Sequence, residues 1–203
     1  MLTAGDKDMN TKEKILLASL ELFSKKGFES SSVGDISDAL GLSKGALYKH
    51  YDGKQGILES IIDRMDDEGA DFAKTHGLPA ETCFIPRELY SATMAEMLRC
   101  FALNMFDYWT GEGFAPQFRR MLTVDRFASG EIAALYRSYL GEDVLNYVKQ
   151  FFGPRFGGQA EEMSLELYGV LHLLISLSDT ADEDELRDRL SEYTDSFIEK
   201  YDI

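Results

Sequence analysis

Residues 33–51 read VGDISDALGLSKGALYKHY, and this stretch decides the fold of the N-terminal part of the chain. Apolar residues recur at helical spacing before Gly41, and Ser43 follows as a candidate N-cap for another short helix. A glycine between two short helices supplies the permissive backbone that a tight turn needs. The stretch therefore predicts a helix-turn-helix.

A longer helix is predicted on each side of this motif. The first has Thr11 as its predicted N-cap and closes at Gly27, after a lysine-rich last turn. The turn signal Asp52-Gly53 separates the motif from a long fourth helix. Residues 1–10 are predicted to be a disordered tail. The sequence thus predicts a compact three-helix head over residues 11–53.

The last helix of the motif has the residue types expected of a helix that enters the major groove of DNA. Gly45 and Ala46 in its first turn are small enough for a close backbone approach, while Leu47 and Tyr51 are predicted to face the head. Its polar residues, predicted to project outward, are Lys44, Tyr48, Lys49 and His50. This pattern indicates binding to double-stranded DNA.

Residues 11–58 resemble the DNA-binding domain of the TetR (tetracycline repressor) family. The resemblance is carried by LFSKKGF at 22–28, by the turn at 33–43 and by GALYKHY at 45–51. It implies an all-α fold, in which the long fourth helix joins the head to a larger helical body for effector binding and dimerisation. That body would occupy residues 54–203.

The resemblance also implies which residues contact DNA. Ser32 would cap the second helix and touch a phosphate, and Lys54 would hold a backbone phosphate from the start of the fourth helix. The whole set is Ser32, Ser43, Lys44, Gly45, Ala46, Tyr48, Lys49, His50 and Lys54. Alternatives stay open for Tyr48, which either meets DNA or packs partly against the head, and for Lys44 and Lys49, whose charges are either bound or merely solvated. Which side chains read base edges is open as well.

The net charge of −15 at first argues against a nucleic-acid partner, because phosphate contacts need lysine and arginine. Residues 11–64 contain eight basic and eight acidic residues, whereas the rest of the chain holds 13 basic and 28 acidic ones. The acidity therefore lies outside the predicted head. Affinity is expected to fall steeply with salt, because phosphate contacts do, and the neutral head predicts that binding depends on the paired geometry of two heads.

The body reads as helical throughout, with no convincing alternation of a strand. Helices are predicted at about 87–108, 115–127, 132–152, 160–179 and 183–201, with a break at 153–158. The last two helices carry more apolar residues than one packing face needs. They predict a homodimer with a four-helix interface, whose two heads would match a palindromic operator.

Residues 94–127 are unusually rich in methionine and aromatic side chains, for which the ordinary interpretation is the protein core. The resemblance implies that some of them line an apolar cavity for a small-molecule effector. The predicted effector residues are Met97, Phe101, Met105, Trp109, Phe118, Met121 and His172. His172 is either a satisfied core histidine or a polar group in that cavity. Arg119, Arg120 and Arg126 either lie on the surface or pair with an anionic effector.

The resemblance implies a repressor that a small apolar or aromatic effector releases from DNA by moving the fourth helix. A different class of function stays open, namely a helical small-molecule-binding protein without DNA binding. The acidic body favours that alternative, and the intact polar residues of the motif argue against it.

Enzymatic interpretations of the sequence fail on their structural requirements. Residues 41–45 match G-x-S-x-G, but a nucleophile elbow needs a preceding strand, and Ser43 fits an N-cap better. The histidines are scattered, so no metal site, catalytic residue or cofactor is predicted. No apolar run approaches the ~18 residues of a membrane span, and no signal peptide is visible. The sequence thus predicts a cytoplasmic protein with no membrane partner.

Overall fold

The structure is a computed structural model that describes residues 10–76 and 90–203. These residues form α-helices and one short 3-10 turn at 157–159, with no strand among them. The helices are α1 (Thr11–Lys26), α2 (Val33–Leu40), α3 (Lys44–Leu47), α4 (Gly53–Thr75), α5 (Tyr90–Trp109), α6 (Phe114–Asp125), α7 (Gly130–Leu140), α8 (Glu142–Phe156), α9 (Ala160–Leu177) and α10 (Glu183–Tyr201). The all-α prediction is confirmed. Most of the predicted tail and the start of the helix predicted at 87 lie outside the described residues.

The chain divides into two compact units. The described residues of 1–68 and 117–136 form the first unit, and those of 69–116 and 137–203 form the second. The first unit is larger than the predicted head, because it also contains the first part of α4, most of α6 and the first part of α7. The functional boundary at residue 53 stays a prediction.

In the first unit, α1 begins one residue earlier than its predicted cap. Asn10 is the N-cap, and its side chain accepts the backbone N–H of Lys12, so Thr11 is already helical. α1 closes at Gly27, whose φ of 89° suits glycine. Ile15 and Phe23 on its inner face are fully buried. The local sequence thus fixes both ends of α1 to within one residue.

The second unit is built from α5, α8, α9 and α10, which pack on one another. Ion pairs join α5 to α10, with Arg99 Nε 2.6 Å from Asp195 Oδ1 and Arg187 bidentate on Asp107 at 2.8 and 3.0 Å. On α9, Glu166 accepts from the Lys200 ammonium and the Tyr201 hydroxyl of α10. The Glu166 bonds thus link the two last helices, and the ion pairs link α10 to α5.

The single helix predicted at 132–152 is wrong, since Gly141 divides it into α7 and α8. A Cβ on Gly141 would stand 2.9 Å from the Cα of Arg137, so the backbone passes too close there for a side chain. The Tyr168 hydroxyl donates to the Leu140 carbonyl at 2.9 Å, which satisfies a group near the interruption. The break predicted at 153–158 is also misplaced, because α8 continues through Pro154 to Phe156.

Candidate nucleic-acid interface

The second helix of the chain begins at a complete capping box. The Ser32 hydroxyl accepts the backbone N–H of Asp35 at 3.1 Å, while the Asp35 carboxylate accepts the backbone N–H of Ser32 at 2.8 Å. Such reciprocal bonds satisfy two backbone donors that a helix start leaves unpaired. Ser32 is therefore the N-cap of α2, as the sequence predicts, and its hydroxyl is exposed.

The turn between α2 and α3 is built by one glycine and one serine. Gly41 adopts the left-handed conformation with φ 64° and ψ 27°, and its N–H closes the last turn of α2. Ser43 then caps α3 by accepting the backbone N–H of Ala46 at 3.1 Å. The helix-turn-helix predicted from the sequence is therefore present, with both caps at the predicted positions.

α3 is shorter than the sequence suggests. Its α-helical span ends at Leu47, and residues 48–50 form a turn in which Lys49 N–H bonds to the Ala46 carbonyl and His50 N–H to the Leu47 carbonyl. Such i to i+3 bonds tighten the end of a helix. Tyr48, Lys49 and His50 therefore lie in the turn that follows α3, and not on further turns of an α-helix.

The predicted DNA-contacting side chains lie mostly at the surface of the first unit. Tyr48 is 56% exposed, which favours the surface over packing against the head. Those classed as exposed are Ser32, Ser43, Lys44, Gly45, Tyr48, Lys49 and His50, whereas Ala46 and Lys54 are partly buried. Leu47 and Tyr51 are buried as predicted, and the Tyr51 hydroxyl donates to the Lys12 carbonyl at 3.2 Å. A polar surface thus rests on an anchored apolar side, while its contact with DNA stays a prediction.

Lys44 lies across the start of α2. A Cβ on Gly34 would stand 3.2 Å from Lys44 Cε and 3.3 Å from its Nζ, so the missing side chain at Gly34 leaves room for the lysine. This close approach places the positive charge of Lys44 beside Ser32, whose Oγ is 3.3 Å from the same Cβ position. The capped start of α2 and the start of α3 therefore form one continuous polar surface.

Lys54 is engaged within the protein. Its ammonium donates to the Phe28 carbonyl at 2.7 Å and lies 4.2 Å from the centre of the Phe28 ring. An ammonium has three donors, so these contacts leave capacity for another acceptor. The structure thus adds a structural role to a residue for which the sequence predicts a phosphate contact.

Asp35 holds the lysine-rich end of α1 next to α2. The Ser32 hydroxyl and backbone N–H, followed by Lys26, hold the pKa of Asp35 at about 2, below its ordinary value of 3.8. The Lys26 ammonium lies 3.3 Å from Asp35 Oδ1. The acidic residue closest to the predicted phosphate-binding start of α2 is thus already satisfied by its neighbours.

Replacing Ser32 with alanine is expected to raise the pKa of Asp35 from about 2 toward its ordinary value. It should also lower the free energy of unfolding by about 1 kcal/mol, the usual cost of losing an N-cap hydroxyl. Since the pKa of Asp35 is lowered on folding, its contribution to stability is present above the unfolded pKa and is lost as pH falls through about 2. An NMR titration of the Asp35 carboxyl carbon measures the shift. Ser30→Ala, at an exposed serine of the same loop, is the control, and an Asp35 pKa still near 2 in Ser32→Ala would contradict the assignment.

The predicted effector residues fall in both units. In the first unit, Phe118 and Met121 of α6 are fully buried. In the second, Phe101 and Trp109 of α5 are buried, while Met97, Met105 and His172 are partly buried, the last with its ring 5.9 Å from that of Tyr168. Their shared role in effector binding stays a prediction.

Two buried charged residues of α6 stand apart from what the sequence suggested. Arg119 is only 3% exposed, so the surface position expected as one alternative is wrong for it. Asp125 is equally buried and meets the loop between α1 and α2. Nothing in the local sequence singles out Asp125, because its contacts lie about a hundred residues away along the chain.

The chain matches known proteins over its N-terminal region and, more distantly, over nearly its whole fold. Residues 15–61 match the family of bacterial regulatory proteins called the tetR family. The crystal structure of a transcriptional regulator (TerR/AcrR family) from Aquifex aeolicus VF5 is similar with a TM-score of 0.63, at 25% identity, over 90% of this chain and 96% of that chain. Residues 15–61 therefore belong to the TetR family.

Two curated relatives match only the TetR-like head of the chain. An uncharacterized HTH-type transcriptional regulator of Bacillus subtilis, YerO, is 43% identical over 52 residues, which is 26% of this chain and 18% of that protein. The negative regulator IcaR of the biofilm operon icaADBC from Staphylococcus epidermidis is 34% identical over 61 residues, which is 30% of this chain and 33% of that protein. The chain thus matches a third or less of these relatives' lengths, so their likeness concerns the head.

Two remaining features of the described residues concern membranes and metals. None of the described helices is long and apolar enough to cross a membrane. Among the same residues, no group of three histidine, cysteine or acidic side chains is placed to hold a metal ion.

Proposed function

We propose that the chain is a dimeric DNA-binding transcriptional regulator, a repressor that a small apolar or aromatic effector releases from a palindromic operator. The observation that carries this proposal is the exposed polar surface of a capped helix-turn-helix, supported from beneath by buried Leu47 and Tyr51. An exposed tyrosine, lysine and histidine following small residues suit contact with base edges and phosphates. The proposed contact residues remain Ser32, Ser43, Lys44, Gly45, Ala46, Tyr48, Lys49, His50 and Lys54.

Dimerisation is supported by an apolar stripe on α9. Leu165, Leu173 and Leu177 are 53%, 55% and 40% exposed, although neighbouring leucines of the same helix are buried. Gly169 lies between the first two at spacings of four residues, with open space where its Cβ would be. A two-fold axis near Gly169 would bring each stripe onto its copy and bury these leucines. The proposed homodimer therefore uses α9 at its centre, with α10 beside it.

The effector proposal rests on the chemistry of α5. Phe101 and Trp109 are buried, while Met97 and Met105 are partly accessible. Flexible thioethers and aromatic rings adapt to varied apolar ligands. Trp109 is the one tryptophan in the sequence, so its fluorescence can follow titration with a panel of hydrophobic and aromatic compounds. A bound compound should weaken DNA binding, and DNA should weaken the compound's binding by the same factor.

The decisive experiment is selection of duplexes from random-sequence DNA with the purified full-length protein at low salt, checked by mobility shift. The expected result is an inverted repeat whose half-sites are about one helical turn apart. DNA flanking the protein's own gene is a second probe for the same assay. Absence of enrichment by a folded protein would overturn the regulator proposal and leave the helical small-molecule-binding alternative.

Replacing Lys49 with alanine is expected to weaken binding to the selected duplex and to lower the salt slope of log K by about one, as loss of one phosphate contact does. Tyr48→Ala should weaken binding by about tenfold through loss of a base or sugar contact. Fluorescence anisotropy across a salt series measures both. Lys25→Ala removes the same charge from an exposed lysine at the end of α1 and should keep the wild-type slope. Equal salt slopes for the wild type, Lys49→Ala and Lys25→Ala would place Lys49 away from the phosphates.

A further inference from the structure

One peptide group in the loop between α1 and α2 is held from both sides by charged side chains. The Lys54 ammonium donates to the Phe28 carbonyl at 2.7 Å, and the Glu29 N–H donates to Asp125 Oδ2 at 3.1 Å. The carbonyl of residue 28 and the N–H of residue 29 belong to the same peptide bond. Charge-assisted bonds at both ends polarise this peptide and strengthen each other. We call this arrangement of Lys54, peptide 28–29 and Asp125 the Asp125 junction.

The carboxylate of Asp125 lies in an unusual environment. Asp125 is 3% exposed, and no lysine or arginine of the described residues forms an ion pair with it. A buried charge without a cationic partner is costly unless hydrogen bonds compensate for its lost hydration. Here the compensation comes through the peptide from Lys54. The Asp125 carboxylate thus holds the Glu29 N–H of the loop in place.

The loop fits closely around the Asp125 carboxylate. A Cβ on Gly27 would stand 2.5 Å from Asp125 Oδ1, so only a glycine permits this approach. The Ser31 hydroxyl donates to the Gly27 carbonyl at 2.6 Å and is buried. The loop is therefore held rigid from Gly27 to Ser31, directly before the N-cap Ser32. A displacement of Asp125 would be transmitted to the start of α2.

The junction also joins α6 to the proposed DNA-contacting surface. Asp125 is the last residue of α6, and Met121 and Phe118 lie on the same helix one and two turns earlier, respectively. Lys54 lies in the first turn of α4 and Ser32 caps α2, and both belong to the proposed phosphate contacts. All of these residues lie in the first unit. The junction thus links one helix that carries predicted effector residues to two proposed phosphate contacts.

We infer that Asp125 is a positioning residue for DNA binding: through peptide 28–29 it sets the places of Lys54 and Ser32, although it makes no contact with DNA itself. This inference rests on the proposed function. It has an electrostatic signature, because removing a negative charge near DNA ordinarily tightens binding. Removing a carboxylate that positions phosphate contacts is instead expected to weaken DNA binding.

The test compares full-length Asp125→Asn with the wild type on the duplex recovered by selection. Binding should be about tenfold weaker, and the salt slope should fall by about one because Lys54 loses its phosphate. A residue that served stability alone would lower the melting temperature and leave that slope unchanged. Asp63→Asn makes the same chemical change at an exposed carboxylate of α4 and should bind as tightly as the wild type or more tightly.

Amide hydrogen exchange supplies a second measurement in case Asp125→Asn does not fold. In the wild type, exchange at the Glu29 amide should slow when the selected duplex is added, since DNA fixes Lys54 at the other end of the peptide. Unchanged Glu29 exchange would overturn the inference. So would Asp125→Asn binding that equals or exceeds that of the wild type with an unchanged slope. A wild type that binds no duplex would overturn the proposed function itself and the inference with it, and that outcome is distinct from the first two.

Discussion

A Leu173→Glu protein is expected to be monomeric at micromolar concentration and to lose at least about a hundredfold in affinity for the selected duplex. Leu173 is 55% exposed at the centre of the α9 stripe, one helical turn from Gly169. In the proposed dimer, a glutamate there would meet apolar side chains and the like charge of its copy near the two-fold axis. Sedimentation velocity measures the oligomeric state, and fluorescence anisotropy measures DNA binding.

The loss of DNA binding follows from the neutral head. Because residues 11–64 carry equal numbers of acidic and basic residues, one head has little general attraction for the phosphate backbone. When two heads are joined in a dimer, binding of the first head brings the second to its half-site at high effective concentration, which raises the overall affinity. A monomer loses that gain. The dimer interface is therefore expected to matter for DNA binding as much as the recognition residues do.

Phe127→Glu is the matched control for the oligomeric state. Phe127 is 88% exposed and lies outside α9, so this change places the same charge on an exposed apolar position away from the stripe. It should leave the dimer intact. If Leu173→Glu sediments as a dimer, or if the wild type is itself a monomer at the same concentration, the α9 interface is incorrect.

The helix-turn-helix was predictable from the sequence because its signals are local. Ser32 and Ser43 bond to backbone N–H groups three residues away, and Gly41 takes the left-handed conformation at its own position. Caps and positive φ angles depend on a few neighbouring atoms, so the sequence around them suffices. The starts of α2 and α3 therefore fell where they were expected, whereas α3 ends earlier than expected.

The helices of the body were less predictable because tertiary contacts decide their breaks. Apolar periodicity continues through 132–152 on both sides of Gly141, and the sequence pattern alone favours one helix. The interruption depends on a close backbone approach at Gly141 and a hydroxyl from Tyr168, which is distant in sequence. Pro154 suggested a break, yet it is accommodated within the last turn of α8. Contacts with residues distant in sequence therefore determine helix ends that apolar periodicity alone cannot predict.

In the candidate site too, features set by local sequence were predictable, and those set by distant contacts were not. The exposure of Lys44, Tyr48, Lys49 and His50 was predictable from a local pattern, in which these polar residues flank the buried Leu47 and Tyr51. The bond from Glu29 to Asp125 spans 96 positions, and the Lys54 bond to Phe28 spans 26. Neither pairing leaves a signal in a single sequence. The surface that would read DNA was predictable, and the junction that holds it in place was not.

Gly27→Ala is expected to lower the free energy of unfolding by about 3 kcal/mol or more, because two separate costs act at this position. Gly27 has φ 89° and ψ 153°, a region that residues with a side chain rarely adopt. The added Cβ would also stand 2.5 Å from Asp125 Oδ1 and 2.9 Å from its Cγ, and this carboxylate is buried and cannot simply swing into water. Urea unfolding followed by circular dichroism measures the loss.

Gly41→Ala separates the two costs. Gly41 also has a positive φ, 64°, but nothing lies within 4 Å of the position of its Cβ. Only the strain of the left-handed conformation remains, which costs about 1 kcal/mol. The extra loss in Gly27→Ala then contains the close fit around Asp125 and the less favourable backbone region of Gly27, and the part due to the close fit should disappear in the Asp125→Ala background, where the carboxylate is gone. Equal losses in Gly27→Ala and Gly41→Ala would mean that the loop yields at no cost, in which case peptide 28–29 is not rigidly held.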